Sequence, residues 1–167
     1  MKNLLFTLGL SFLAFACGNP ENDGTDSSAP PQSMIEDPDP GIATGKGIGE
    51  VKTVELTEPL NQDMLEMGES IYQMKCAACH KLTDQRVVGP GWAGITNRRK
   101  PEWIMNMITN VDIMLAEDPE AQKLLEECLT RMPNQNVSVG DARDILEFMR
   151  KNDVEKVGER DQAVEEG

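Results

Sequence analysis

In 167 residues the chain has one histidine, four phenylalanines, two tryptophans and one tyrosine. A single histidine excludes any site that needs two imidazoles from one chain. Aromatic content of 4% is low, and a small domain buries only a modest fraction of its surface. A large planar cofactor is therefore expected to supply part of the core. Basic residues are also few, 16 against 29 acidic ones, and the net charge of −13 argues against nucleic-acid binding. The apolar run from Leu4 to Ala16 is shorter than the roughly 20 residues a membrane-spanning helix needs.

That run follows Lys2 and ends at a small residue and a cysteine, the pattern of an export signal. Its end, Leu13-Ala14-Phe15-Ala16-Cys17, resembles the lipobox of bacterial lipoproteins, with Ala14 where that family prefers leucine. The resemblance implies a signal peptide over 1–16 and a lipid on Cys17, which would hold the protein to the periplasmic side of a bacterial membrane. A soluble signal cleaved after Ala16 is the alternative.

Residues 18–47 contain five of the ten prolines and six acids against Lys46 alone, with no apolar periodicity. Residues 17–47 are thus expected to form the anchor and a disordered acidic tether. Thirty such residues would span roughly 30 Å. Partial alternation at Val51, Val54 and Leu56 suggests an extended arm over 48–60. One small domain is expected over 61–153, followed by a flexible acidic tail over 154–167.

Cys76-Ala77-Ala78-Cys79-His80 is a C-x-x-C-H sequence, the attachment pattern of c-type haem: two thiols form thioethers and the adjacent imidazole binds iron. Cysteines three apart at a helix end face one porphyrin edge. A redox dithiol or half of a zinc site is the competing reading. Zinc needs a second ligand pair, and only Cys17 and Cys128 remain. Export agrees with haem, because c-type haem is attached outside the cytoplasm, where a free pair would tend to oxidise.

Since His80 is the only histidine, a sixth ligand must be something else or absent, and methionine leads. Met64, Met67, Met105, Met107 and Met149 sit in helical patterns where methionine packs. Met132 lies in Thr130-Arg131-Met132-Pro133-Asn134, where proline forces an extended segment able to aim a thioether at iron. Its separation from His80, 52 residues, lets the chain return on the other face of the ring.

From about residue 61 to 151 the chain resembles class I cytochromes c. The likeness rests on Gly68-Glu69-Ser70-Ile71-Tyr72, the haem motif, Val88-Gly89-Pro90-Gly91-Trp92-Ala93-Gly94, and a C-terminal helix pattern at Ala142, Ile145, Leu146 and Met149. It implies an all-α fold of three to five helices around one covalent haem c, near 62–75, 101–110 and 138–152. It also implies that Pro90 accepts the His80 ring N–H. Tyr72 is expected to support the pocket, and Trp92 either to meet the haem or simply to pack in the core.

Asp118-Pro119-Glu120 ahead of Ala121, Leu124, Leu125 and Cys128 predicts an additional helix before the axial methionine. Cys128 is expected to be buried and inert, an intermolecular disulfide or redox switch being the alternative. Gly45-Lys46-Gly47-Ile48-Gly49 and Pro101-Glu102-Trp103-Ile104-Met105-Asn106-Met107-Ile108 are similar to lipoprotein cytochromes associated with nitrous oxide reductase.

With His80 and Met132 as ligands no iron position stays open, so a monomeric electron carrier between redox partner proteins is expected, not an enzyme. The alternatives are a haem enzyme or gas sensor in which Met132 is displaced, and a fixed subunit of a larger oxidoreductase. Lys75, Lys81, Arg86, Arg98, Arg99 and Lys100 stand against Asp84 alone and suggest docking to an acidic partner. Charge compensation of the haem propionates by Arg98 and Arg99 competes with that reading.

Overall fold

The computed structural model describes residues 39–165. The expected signal peptide, the candidate anchor Cys17 and most of the expected tether lie outside the described residues. Within them the chain forms α1 (Pro40–Ala43), α2 (Gln62–Ile71), a π-helical turn (Tyr72–Cys76), α3 (Ile95–Arg98), α4 (Pro101–Thr109), α5 (Val111–Glu117), α6 (Pro119–Cys128), α7 (Val139–Val157) and α8 (Gln162–Glu165). Among the described residues there is no strand, only an isolated antiparallel bridge between His80 and Arg86. None of these helices is long and apolar enough to cross a membrane.

The crossing of α2 and α7 is the main helix pair. Asn61 caps α2 by accepting from the Met64 N–H at 3.2 Å, and Leu65, Gly68 and Ile71 recur at a spacing that keeps one face buried. A Cβ at Gly68 would overlap the Asp144 carbonyl and the Phe148 Cβ, so glycine permits the close approach. Ser138 starts α7 by accepting from the Asp141 N–H at 3.1 Å, and Gly158, at φ 82°, ends it.

The helix expected over 62–75 stops being α-helical at Ile71. From there the Ala77 N–H reaches the Tyr72 carbonyl at 2.9 Å, one residue further along than in an α-helix. The wider turn keeps Tyr72 in the core, its ring 4.8 Å from Trp92 and 5.5 Å from Phe148, while the chain leaves the helix at Cys76.

The helix before Met132 is present as α6. Pro119 occupies its first turn, and Asp118 accepts from the Ala121 N–H at 2.9 Å and from the Trp103 indole at 3.2 Å. Helix α5 was not anticipated; it follows a bend at Asn110 and is held by buried Val111, Met114 and Leu115.

Two expected boundaries differ from the structure. Residues 39–51 are packed where the tether was expected to extend to residue 47. The Asn106 side chain accepts from the Val51 N–H at 3.1 Å and donates to the carbonyls of Lys46 and Val51, each at 3.0 Å. Asn110 donates to the Ile48 carbonyl at 3.1 Å, and Lys46 pairs with Glu102 at 3.1 Å. These bonds satisfy the backbone of a segment that has little secondary structure of its own.

At the other end, α7 runs four residues beyond the expected tail boundary of 153, and the chain then folds back to bury Ala163. Its partner is Arg150, fully buried on α7, which bonds Asp161 at 2.8 Å, Glu147 at 3.0 Å and Glu58 at 2.9 Å. Glu147, also fully buried, accepts from Thr57 at 2.7 Å, the Asn61 N–H at 3.0 Å and Arg143 at 2.7 Å. Burial opposes the charge on Glu147, but these donors together hold its pKa below the ordinary carboxylate value.

Candidate haem site

The C-x-x-C-H residues share one compact turn. The N–H groups of Cys79 and His80 both donate to the Cys76 carbonyl, at 3.1 and 2.9 Å. All three side chains are half-buried, so they sit at the surface of the core rather than within it.

The following loop folds back onto this turn. Gly89 donates to the Cys79 carbonyl at 3.0 Å, Trp92 to the Lys81 carbonyl at 2.8 Å, and the Tyr72 hydroxyl to the His80 carbonyl at 2.8 Å. The His80 ring lies against Gly89, where any Cβ would collide with the imidazole, and its centroid is 5.7 Å from that of Trp92. A glycine is therefore required at 89 by contact with the ligand ring itself.

His80 Nδ1 is 2.9 Å from the Pro90 carbonyl. A carbonyl only accepts, so Nδ1 carries the proton and Nε2 presents its lone pair. Burial lowers the His80 pKa, against the Pro90 bond, and so favours the neutral ring that can ligate a metal.

Burial pushes the Cys76 thiol up to about 11, with Cys79 adding to the shift and Lys75 opposing it. A stabilised thiolate would favour redox chemistry, and at Cys76 burial works in the opposite direction. Nor do three or more His, Cys, Asp or Glu side chains converge to hold an ion among the described residues, which removes the basis for a zinc site there.

Met132 lies in the irregular segment between α6 and α7 and is half-buried against the edge of the core. Met105, Met114 and Met149 are buried within it, and Met67 and Met74 are exposed. Cys76, Ala77, Leu82 and Met132 are among the half-buried apolar groups packed against the core. The donor set fits haem c, which Cys76 and Cys79 would hold and the His80 ring would ligate.

Other residues singled out in the sequence have defined surroundings. Trp92 is buried and packs on Tyr72 and His80. Arg99 turns to Glu120 at 2.7 Å and over the Trp103 ring, and Arg98 donates to the Ala93 carbonyl at 2.8 Å. Cys128 is half-buried at the end of α6, not fully buried. Sequence reasoning did not single out Gly89 as a ring contact; its place one residue before Pro90 was the available signal.

A helical chain with an oriented imidazole beside paired thiols defines a c-type haemoprotein. The cytochrome c family model matches residues 65–153, more than half of the chain, and the protein belongs to that family.

Among solved structures, cytochrome c from Rhodothermus marinus is similar at 34% identity, with 70% of this chain and 97% of that one covered and a TM-score of 0.64. An engineered form of the same protein matches at 34% identity over 68% of this chain and 96% of that one, with a TM-score of 0.62. A third structure, the engineered form bound to a carbene intermediate, matches at 33% identity over 68% and 96%, with a TM-score of 0.59. No curated protein matches. The fold is the class I cytochrome c fold, and the cofactor is covalently bound haem c.

Proposed function

We propose that the protein is a single-electron carrier with His80 and Met132 as the two axial ligands. The observation that carries this reading is the locked His80 tautomer, with Nε2 free, together with a half-buried methionine on an irregular segment whose flanks are bonded to Lys75 and Arg86 beside the haem motif. Haem c supplies a one-electron couple. The chain's own residues fix the imidazole and exclude water around it, and a methionine thioether favours the ferrous state, which suits high-potential acceptors.

The N-terminal signal and Cys17 support export and a lipid tether to the periplasmic side of a membrane, from which the domain would serve a donor and an acceptor as a monomer. A terminal reductase such as nitrous oxide reductase is the acceptor suggested by the Gly45–Gly49 and Pro101–Ile108 sequences. Of the six basic residues near the haem motif, Arg86 and Arg99 are paired with Glu127 and Glu120. Charge steering toward an acidic partner therefore rests chiefly on Lys75, Lys81, Arg98 and Lys100.

The test is the absorption spectrum of the reduced holoprotein before and after carbon monoxide. Resistance in the wild type, lost in Met132→Ala, is the expected result. A large shift in the wild type would instead favour a ligand-binding enzyme or sensor, a reading given some weight by the engineered relative that holds a carbene intermediate.

A further inference from the structure

Met132 sits between two polar ties that cross to the segments flanking the haem motif. Five residues before it, Glu127 receives both arms of Arg86: Nη1 donates to the Glu127 carbonyl and Nη2 to its carboxylate, each at 2.9 Å. Three residues after it, the Gln135 carbonyl accepts from Lys75 Nζ at 2.8 Å. Lys75 immediately precedes Cys76, and the Arg86 backbone is bridged to that of His80.

The segment between these ties needs them. Residues 129–138 form no helix or strand, Leu129 and Asn136 take positive φ of 56° and 50°, and of its side chains only Val137 is buried. Arg131 pairs with Asp112 at 3.0 Å, which fixes the segment to α5 but not to the His80 loop. The Arg86 contact also satisfies a carbonyl in the last turn of α6 and places a cation at its negative end.

We propose that Arg86 and Lys75 are positioning residues for Met132, joining the methionine-bearing segment to the histidine-bearing one so that the sixth ligand stays on iron. The inference rests on the assignment of Met132 as that ligand. Each tie is exposed and weak as a contribution to overall stability. Their effect falls on the equilibrium between bound and detached methionine, where a small free energy changes accessibility directly.

The experiment mixes ferrous holoprotein with carbon monoxide and records the binding rate for wild type, Met132→Ala, Lys75→Ala/Arg86→Ala, Glu127→Gln and Arg160→Ala. Arg160 pairs with Glu58 and serves as the control for loss of an ion pair elsewhere. The double variant is expected to bind about three- to tenfold faster than wild type, by the strength of two exposed ties, and still slower than Met132→Ala. Glu127→Gln, which keeps the carbonyl bond, is expected to fall between wild type and the double variant. The ferric methionine-to-iron charge-transfer band should weaken in the same order, and Arg160→Ala should match wild type in both readouts.

Fast binding by Met132→Ala with a wild-type rate in the double variant overturns the positioning role and leaves the ligand assignment standing. A wild type already as fast as Met132→Ala overturns the ligand assignment itself. Equal acceleration in Arg160→Ala shows a general loosening and also overturns the positioning role. Should the double variant fail to yield holoprotein, Glu127→Gln decides by the same rate: a wild-type value overturns the proposal.

Discussion

The ion-pair cluster on α7 and the haem-bearing edge solve opposite problems with similar groups. On α7, Glu147 and Arg150 are withdrawn from water; Glu147 meets partners from residues 57–61 and from α7, and Arg150 from those two parts and from Asp161. Beside the haem motif, Arg86 and Lys75 make exposed crossings to the chain on either side of Met132, and Cys76, Ala77, Leu82 and Met132 are only half-buried. The first region is completed by the polypeptide alone; the second is completed by its cofactor. Loss of a group should therefore unfold the protein in one region and change its spectrum in the other.

The largest effect is expected from Arg150→Ala, which removes a fully buried side chain and takes from Glu147 one of its two cations and from Asp161 its partner on α7. Removing one partner of such a pair costs about 3–5 kcal/mol, to be read from denaturant unfolding of the holoprotein. A loss no larger than that of an exposed ion pair would erase the contrast between the regions.

A smaller global cost, about 1–3 kcal/mol of overpacking, is expected for Gly89→Ala, because the new methyl meets the His80 ring. Its main signature should be a changed spectrum and reduction potential with the helical circular dichroism retained. Wholesale unfolding without a preceding spectral change would show that the edge is as integral to stability as the α7 cluster.

Acid gives the finest test. The Glu147 pKa is lowered in the folded state below the ordinary carboxylate value, so its contribution is complete above the ordinary value and is lost as pH falls through the lowered one. Asp153, buried and bonded to Gly94 and Thr96, is shifted upward by burial, so its protonation does not oppose folding in that window. Stability should decline below about pH 4.5, and Glu147→Gln should flatten that decline while lowering the plateau above it. An unchanged slope in the variant would place the acid sensitivity elsewhere.

Much of the haem-bearing edge was legible in the sequence because its chemistry is local. The C-x-x-C-H turn and the capped helix before Met132 each depend on residues a few positions apart, and the Pro90 bond to His80 followed from the resemblance to class I cytochromes c. The α7 cluster was not legible, since Glu147 and Arg150 look like solvent-facing charges on an amphipathic helix until Thr57, Glu58 and Asp161 arrive from sequence positions far away. The same applies at the N-terminal side: Lys46 and Gly47 read as the end of a tether because the side chain that bonds the Lys46 carbonyl, Asn106, is 60 residues further along. Helix α5 escaped because seven residues, of which Val111, Met114 and Leu115 are buried, give too short a period to recognise.

The π-helical turn at Tyr72–Cys76 makes helix length here a matter of angular phase. The wider turn takes up one residue more than an α turn before the chain leaves at Cys76. Removing one residue there and rewinding the turn as α would leave the attachment cysteines near their present angle, whereas adding one would swing them by about 100°. In this stretch the chain should accept a deletion better than an insertion, and the count of residues carries information that their identities do not.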